Sequence, residues 1–363
     1  MTLPERPFSL LPRWAAVTVL LLTLFGCVWN VFALDMRDSA HEADIEYRLE
    51  RSERTDMDLY RAVNRRVADG EDYYHAAADE HRRFGMPTSP FVTMRTPMLA
   101  WTNTVWGEQG WRIIAAVLWG ANILVWFVAL RGDGRIEALC AAAMAGFFGM
   151  VAFIPDIPFS HEILAGLMLS LALALSTGGL WIGALILTIC AVSLRELALP
   201  FLIAWGGAAL LGGERGKLLA IGGALALLVI GLLLHAYAVG EVRRAGDFVS
   251  PGWRGLFGPG LAFYGIHLTT LLQTLPVWCA GPLGVLPLLG WFAKGGKLGA
   301  FASLWFAGFI AAVAIFARQE NFYWMGLFIP AYGVGLAFVP RALSDLMSAI
   351  RRQPSASPMH ASR

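Results

Sequence analysis

Residues 55–97 read TDMDLYRAVNRRVADGEDYYHAAADEHRRFGMPTSPFVTMRTP, a charge-dense stretch inside an otherwise apolar chain. The stretch is patterned. From 58 to 69, Leu59, Val63 and Val67 recur at helical spacing on one face, with Arg61, Arg65 and Arg66 elsewhere. Gly70 stops that helix. Asp72 can cap the next one, YYHAAADEHRRF, and Gly85 ends it. The expectation is two or more amphipathic helices resting on a membrane surface. MPTSP then turns the chain toward Arg95-Thr96-Pro97 and an interfacial aromatic stretch, Trp101, Trp106 and Trp111.

The rest of the chain says which surface this is. Of 363 residues, 57% are hydrophobic and only 15% charged, against about 25% charged in soluble domains. Several windows hold about 17 or more uncharged apolar residues, enough to cross roughly 30 Å of hydrocarbon. The apolar runs are continuous rather than alternating, which excludes a β-barrel. The fold class expected is all-α, a polytopic transmembrane helical bundle of about ten spans. No segment outside the membrane is large enough for a soluble enzyme domain. The net charge of +2 gives no reason to expect nucleic acid as a partner. Cys27, Cys140, Cys190 and Cys279 fall inside expected spans, form no CxxC pair, and read as small packing residues.

The expected spans are 13–34, 111–130, 138–154, 161–177, 180–194, 197–212, 218–239, 275–293, 298–316 and 322–339. The first has no small-x-small cleavage site and is kept as a span rather than a signal peptide. STGG turns the chain between the fourth and fifth. The apolar stretch 252–274 is broken by Gly and Pro, and part of it is read as a helix on the membrane surface. Residues 1–340 then form one transmembrane domain, with an outer loop at 35–110 and a cytoplasmic tail at 341–363.

Positive charge orients the bundle. With the N-terminus in the cytoplasm, the inner segments carry twelve bases, all three lysines among them, against five acids. The outer segments hold the other sixteen bases and twenty-one acids. The expected location is the inner (plasma) membrane, with both termini on its cytoplasmic side. The loop at 35–110 alone holds fifteen acids and ten bases, too many for a simple connector. The other outer connections are short and polar: Asp156 with His161 and Glu162, Arg195-Glu196, then Arg243, Arg244, Asp247 and Arg254, then Arg318-Gln319-Glu320-Asn321. Each one alone reads as an interfacial ion pair worth little. Together they converge on the side of the long loop and indicate one site there.

One pattern in the opening stretch resembles a known group. An Asp four residues before a Tyr (Asp56, Tyr60), then Gly70, Tyr73 and Tyr74, then Arg95-Thr96-Pro97 before the second span, is similar to the GT-C superfamily. These are integral membrane glycosyltransferases that use polyprenyl-phosphate sugar donors, mannosyltransferases among them. The motif covers about forty residues, and the expected topology extends the resemblance along the chain. Members often carry Lys-Pro-Pro where this chain has Arg95-Thr96-Pro97, and Asp-Glu where it has Asp56-Met57 with a second acid at Asp58.

The resemblance implies a GT-C-like fold and transfer of a hexose or pentose from a polyprenyl-phosphate donor to a glycan, lipid or protein hydroxyl at the extracytoplasmic face. Such chemistry needs a carboxylate as general base. Asp56 or Asp58 supplies it, with Asp35 and Asp38 behind. It needs cations on the leaving phosphate, and the planar arginine fork suits phosphate oxygens. Arg95, Arg195 and Arg318 are the candidates, with Glu196, Glu320, Asn321, Tyr60, Tyr73, Tyr74 and His161 beside them. Tyr73 and Tyr74 either stack on sugar or anchor at the interface. An apolar groove near Tyr264 would take the prenyl tail. No spacing compels a metal, so no cofactor is expected, with a divalent ion left open. His161, His235 and His267 read as hydrogen-bonding residues rather than ligands. The rival reading is a transporter or lipid flippase for a glycolipid. It wants charges at mid-span, and none of the ten spans carries one. A non-enzymatic scaffold is the third reading, and it predicts tolerance of substitution at Asp56, Arg95 and Arg195.

Overall fold

A computed structural model describes the backbone of residues 3–50, 55–253 and 255–352, and the side chains of the same residues apart from 38–50. Every regular element is helical, and among the described residues the only extended pairing is a single bridge between Ser89 and Val249. Among the described residues, seven helical stretches are long and apolar enough to cross a membrane: Arg13–Arg37, Phe91–Leu130, Arg135–Phe153, Arg215–Val242, Val277–Lys294, Gly296–Phe316 and Ala331–Arg351. Three shorter apolar helices, His161–Leu175, Trp181–Leu194 and Glu196–Leu211, lie among them. The chain is built as a multi-pass membrane protein.

Helix α1 (Arg13–Glu50) continues well beyond residue 34, where the first span was expected to end. Helices α2 (Asp56–Ala68) and α3 (Tyr73–Arg83) form the expected pair. Gly70, at φ +92°, makes the turn that a side chain resists, and Asp72 accepts from the His75 backbone N–H to cap α3. Their apolar face does not rest on lipid. Leu59, Val63 and Val67 bury against Tyr73, Ala76, Ala77, Met94, Ala100 and Val239, so the two helices are docked on protein. Helix α4 (Met98–Leu130) begins thirteen residues before the expected span and bends where Gly107 takes φ +65°.

Helices α5 (Arg135–Phe148), α6 (His161–Leu175), α7 (Trp181–Leu194), α8 (Leu199–Leu211) and α9 (Arg215–Val242) follow. Helix α6 is apolar all round, as a helix enclosed by others must be, and most of its residues are buried. Its few polar atoms are satisfied by neighbours: Trp126 Nε1–H donates to Ser170 Oγ at 3.0 Å, and Asn122 Nδ2–H donates to the Leu167 carbonyl at 3.0 Å. Gly166 lets the backbone of Gly326 approach so closely that a Cβ would sit 2.1 Å from the Gly326 oxygen.

Helix α10 (Gly260–Leu268) departs from expectation. It was read as lying on the membrane surface, yet Gly260 through His267 are all buried, and it packs on α1, on the helices α11 (Val277–Lys294) and α12 (Gly296–Phe316), and on the 3-10 segment Gln319–Phe328. Tyr264 is only 3% exposed. The expected final span at 322–339 is also redistributed. Residues 319–328 form the 3-10 segment, α13 (Ala331–Val334) is one turn, and α14 (Val339–Arg351) carries the chain on. Residues 341–351, placed in a tail by sequence, are therefore helical, with Ala342, Asp345, Leu346 and Ala349 buried. Residues 353–363 and Arg254 lie outside the described residues.

A band of aromatic rings fixes the centre. Phe201, Trp205, Phe301 and Trp305 join α8 to α12, and Phe306, Phe328, Tyr332 and Trp291 extend the contacts to α11 and α13. Charge collects at the two ends. At one end Arg6 pairs with Asp345, Lys294 with Asp133 at 3.3 Å, Arg341 with Glu137 at 3.0 Å, and Lys217 and Lys297 with Glu214. At the other lie α2, α3 and the polar connections that follow α5, α7 and α9.

Candidate functional site

The site is assembled from three pieces of chain. Helix α6 rises from the core and presents His161 and Glu162 on its first turn. The connection between α7 and α8 supplies Arg195 and Glu196. The Arg95-Thr96-Pro97 turn that precedes α4 supplies Arg95. Arg195 Nε–H donates to Glu162 Oε1 at 2.6 Å, Arg195 Nη1 pairs with Glu196 Oε1, and Arg95 Nη2 lies 3.5 Å from Glu162 Oε1. All four side chains are less than a tenth exposed. Charges so far out of water cost several kcal/mol each unless they are paired, and two cations against two carboxylates balance here. The pairing is incomplete: Arg95 Nε and Glu196 Oε2 are buried with no hydrogen-bond partner among the described residues.

Tyr60 covers this group from α2. Its ring stands 5.7 Å from the Arg95 guanidinium carbon and packs edge-on against His161, with ring centres 4.9 Å apart. Burial pushes the Tyr60 phenol well above its ordinary pKa, so it is a neutral hydroxyl at any physiological pH. His161 Nδ1 lies 3.0 Å from the Phe159 carbonyl. A carbonyl only accepts, so Nδ1 carries the proton and neutral His161 keeps its lone pair on Nε2. A cavity lined by Tyr60, Tyr73, His81, Arg95, Thr96 and His161, among others, has room for about one water molecule. His81 is buried and held neutral, its pKa lowered by that burial.

The backbone under Arg95 is pinned from three sides. Tyr73 O–H donates to the Arg95 carbonyl. Tyr74 O–H donates to His235 Nδ1 at 3.2 Å, which leaves His235 Nε2–H to donate to the Met94 carbonyl at 3.1 Å. Thr96 O–H donates to the Ser193 carbonyl at 2.6 Å. Tyr73 and Tyr74, which the sequence offered as sugar platforms or interface anchors, are here the posts that set the height and direction of Arg95.

The two candidate bases part company. Asp58 closes a capping box: its Oδ2 accepts from the Thr55 N–H at 3.0 Å and the Thr55 hydroxyl at 2.8 Å, and its Oδ1 accepts from Arg61 at 3.1 Å. Asp56 starts the same helix, makes no hydrogen bond or ion pair among the described residues, and lies within electrostatic reach of Tyr60 and His81. Asp35 is exposed on α1, and the Asp38 side chain lies outside the described residues. Arg318 pairs locally, its Nε 3.0 Å from Glu320 Oε1 and its backbone N–H donating to Asn321 Oδ1. Tyr323, two residues beyond Asn321, lies within electrostatic reach of Tyr60 and Arg95.

Sequence placed Glu162 in a polar connection without singling it out, yet it is the carboxylate on which both arginines converge. Its signal was the acid directly after His161 at the start of an apolar helix. Tyr323 and His81 gave no signal beyond a polar atom in an apolar or amphipathic run. Among the described residues, no three or more His, Cys, Asp or Glu side chains are grouped to hold a metal ion. The site thus gathers two buried arginines already paired with carboxylates, with the Asp56 side chain making no hydrogen bond or ion pair among the described residues. No protein-family model, no curated protein and no solved structure matches this chain.

Proposed function

We propose that the chain is a membrane glycosyltransferase of GT-C type, moving a sugar from a polyprenyl-phosphate donor to an acceptor hydroxyl at the extracytoplasmic face. The observation that carries the reading is the buried pair Arg95 and Arg195, converging on one carboxylate with Arg95 Nε left unpaired. Arg95 belongs to the Arg95-Thr96-Pro97 turn, and Tyr60, Tyr73 and Asp56 of the same motif gather around it. The three short apolar helices would bring seven crossings to ten and leave both termini cytoplasmic.

In this reading Arg95 and Arg195 bind the donor phosphate and hold the negative charge that grows on it as the sugar–phosphate bond breaks. Asp56 takes the proton of the acceptor hydroxyl, whose oxygen forms the new bond to the sugar. The phosphate leaves with the electron pair of the broken bond. Glu162 keeps the two guanidinium groups in register between turnovers. The cavity at Arg95 holds about one water, so the donor enters only when α2 and α3 move away from α4 and α6.

Purified protein offered a panel of polyprenyl-phosphate sugars tests this. Turnover of one donor, falling about 100-fold or more in Arg95→Gln, is the expected result. No turnover of any donor, with no thermal stabilisation by any of them, contradicts it and makes glycolipid transport the next reading to test.

A further inference from the structure

Helix α2 separates two concavities. It sends Tyr60 and Asn64 into the closed cavity at Arg95, and Asp58, Arg61 and Arg65 into an open groove on its other side. Arg83 and Phe84, from the end of α3, form the opposite wall, and the groove encloses about 250 Å³. None of the chemistry proposed for the buried centre uses it.

The charges in this groove are unevenly matched. Arg61 is neutralised by Asp58 at 3.1 Å and Asp156 at 2.5 Å. Arg66 and Arg82, on the same two helices, are each held by at least two carboxylates. The Arg65 side chain makes no hydrogen bond or ion pair with any described residue. Among the described residues Arg83 pairs only with Glu80, at 3.7 Å, with its side chain 66% exposed. Both arginines sit near the C-terminal ends of their helices, where the dipole favours a cation by about 0.3–1 kcal/mol. That preference explains each one singly. It does not explain why the two face one groove, where like charges repel and where Asp58, the carboxylate among the lining residues, already pairs with Arg61.

We propose that this groove is a binding site for a phosphate-bearing ligand, held between the guanidinium groups of Arg65 and Arg83. Arginine binds phosphate oxygens with paired N–H groups and stays charged at any physiological pH. The site is separate from the Arg95 centre and does not rest on the sugar-transfer reading.

The test uses the full chain in detergent and two probes. Retention of phosphatidylglycerol against phosphatidylcholine is read by native mass spectrometry, and binding of inorganic pyrophosphate by calorimetry. The variant is Arg65→Gln with Arg83→Gln. A charge-matched control, Arg131→Gln with Arg243→Gln, removes two exposed arginines elsewhere. The expected result is selective binding of at least one probe by the unaltered chain, weakened about tenfold or more in the Arg65/Arg83 variant and unchanged in the control. Binding of the lipid alone names a lipid headgroup as the source, and binding of pyrophosphate alone names a soluble phosphate. Neither probe binding, the Arg65/Arg83 variant binding as tightly as the unaltered chain, or the control losing as much, overturns the proposal.

Discussion

Arg95 shows how one residue's position is built from many. Its charge is buried against Glu162, its ring partner is Tyr60, and its carbonyl is fixed by Tyr73. Glu162→Gln takes the carboxylate from buried Arg95 and leaves Arg195 with Glu196 alone, and unpairing a buried charge costs about 3–5 kcal/mol. Thermal unfolding in detergent measures that loss, and an unchanged midpoint would mean that water reaches the cluster. Tyr73→Phe removes one hydrogen bond, worth about 0.5–1.5 kcal/mol. It should shift stability far less than Glu162→Gln, yet raise the KM of any donor that Arg95 holds. The residue types were readable in the sequence: Asp56, Tyr60, Arg95, Arg195 and His161 were all singled out, and the fold brings them to one end. Glu162 was not, because its importance is a matter of convergence. Only the packing of α4 and α7 against α6 shows that Arg95 and Arg195, a hundred residues apart in sequence, approach the same carboxylate.

Among the elements, α2 and α3 are the ones whose sequence said most and whose setting it said least. Caps, stops and apolar faces were legible because they are local. The surface that α2 and α3 cover was not, since the period of an apolar face is the same against lipid and against protein. The pair is fastened to α9's far end by Arg82, whose Nε–H donates to Asp247 at 2.8 Å and whose Nη2–H donates to the Val242 carbonyl at 2.7 Å. Asp247 is held well below the usual carboxylate range, chiefly by its hydrogen bonds from Arg82. A carboxylate with a depressed folded pKa contributes stability that is fully present above its unfolded value, about pH 4, and is lost as pH falls toward its folded pKa. His81, neutral when buried, acts with the same sign in a higher window. Unfolding lets it take a proton, so stability falls as pH drops below about 6.5. Hydrogen exchange in α2 and α3 should therefore quicken on acidification in two stages, with Asp247→Asn removing the lower one and His81→Gln the upper. A single stage that survives both variants would contradict this. At α6, Gly166→Ala drives a Cβ into the Gly326 carbonyl, and overpacking of that kind costs roughly 1–3 kcal/mol. The same change at Gly223, which has open space around it, should cost nothing measurable.

At the scale of the whole molecule, the sequence was read correctly as an all-helical, multi-pass bundle. Composition and the length of apolar runs fix that much, because hydrocarbon leaves the backbone few alternatives. The interior was harder. Helix α10 is a nine-residue apolar segment between Gly and Pro, and nothing in its periodicity separates a helix on the membrane surface from one enclosed by neighbours. The segment from 319 to 351 was equally opaque. Its apolar residues divide between a 3-10 segment, a single α-helical turn and an amphipathic helix, and hydropathy averages across those breaks. The bundle puts its ion pairs at its two ends and its aromatic band between them, which leaves the Arg95 centre as a buried set of charges opening toward α2. That placement makes one comparison decisive. Turnover of a polyprenyl-phosphate sugar is measured for the unaltered chain, for Asp56→Asn and for Asp58→Asn, each shown to fold by its thermal transition. The account predicts that Asp56→Asn abolishes transfer, while Asp58→Asn, which weakens a helix cap and an ion pair, lowers stability by about 1 kcal/mol and keeps transfer. Full transfer by Asp56→Asn would contradict the account.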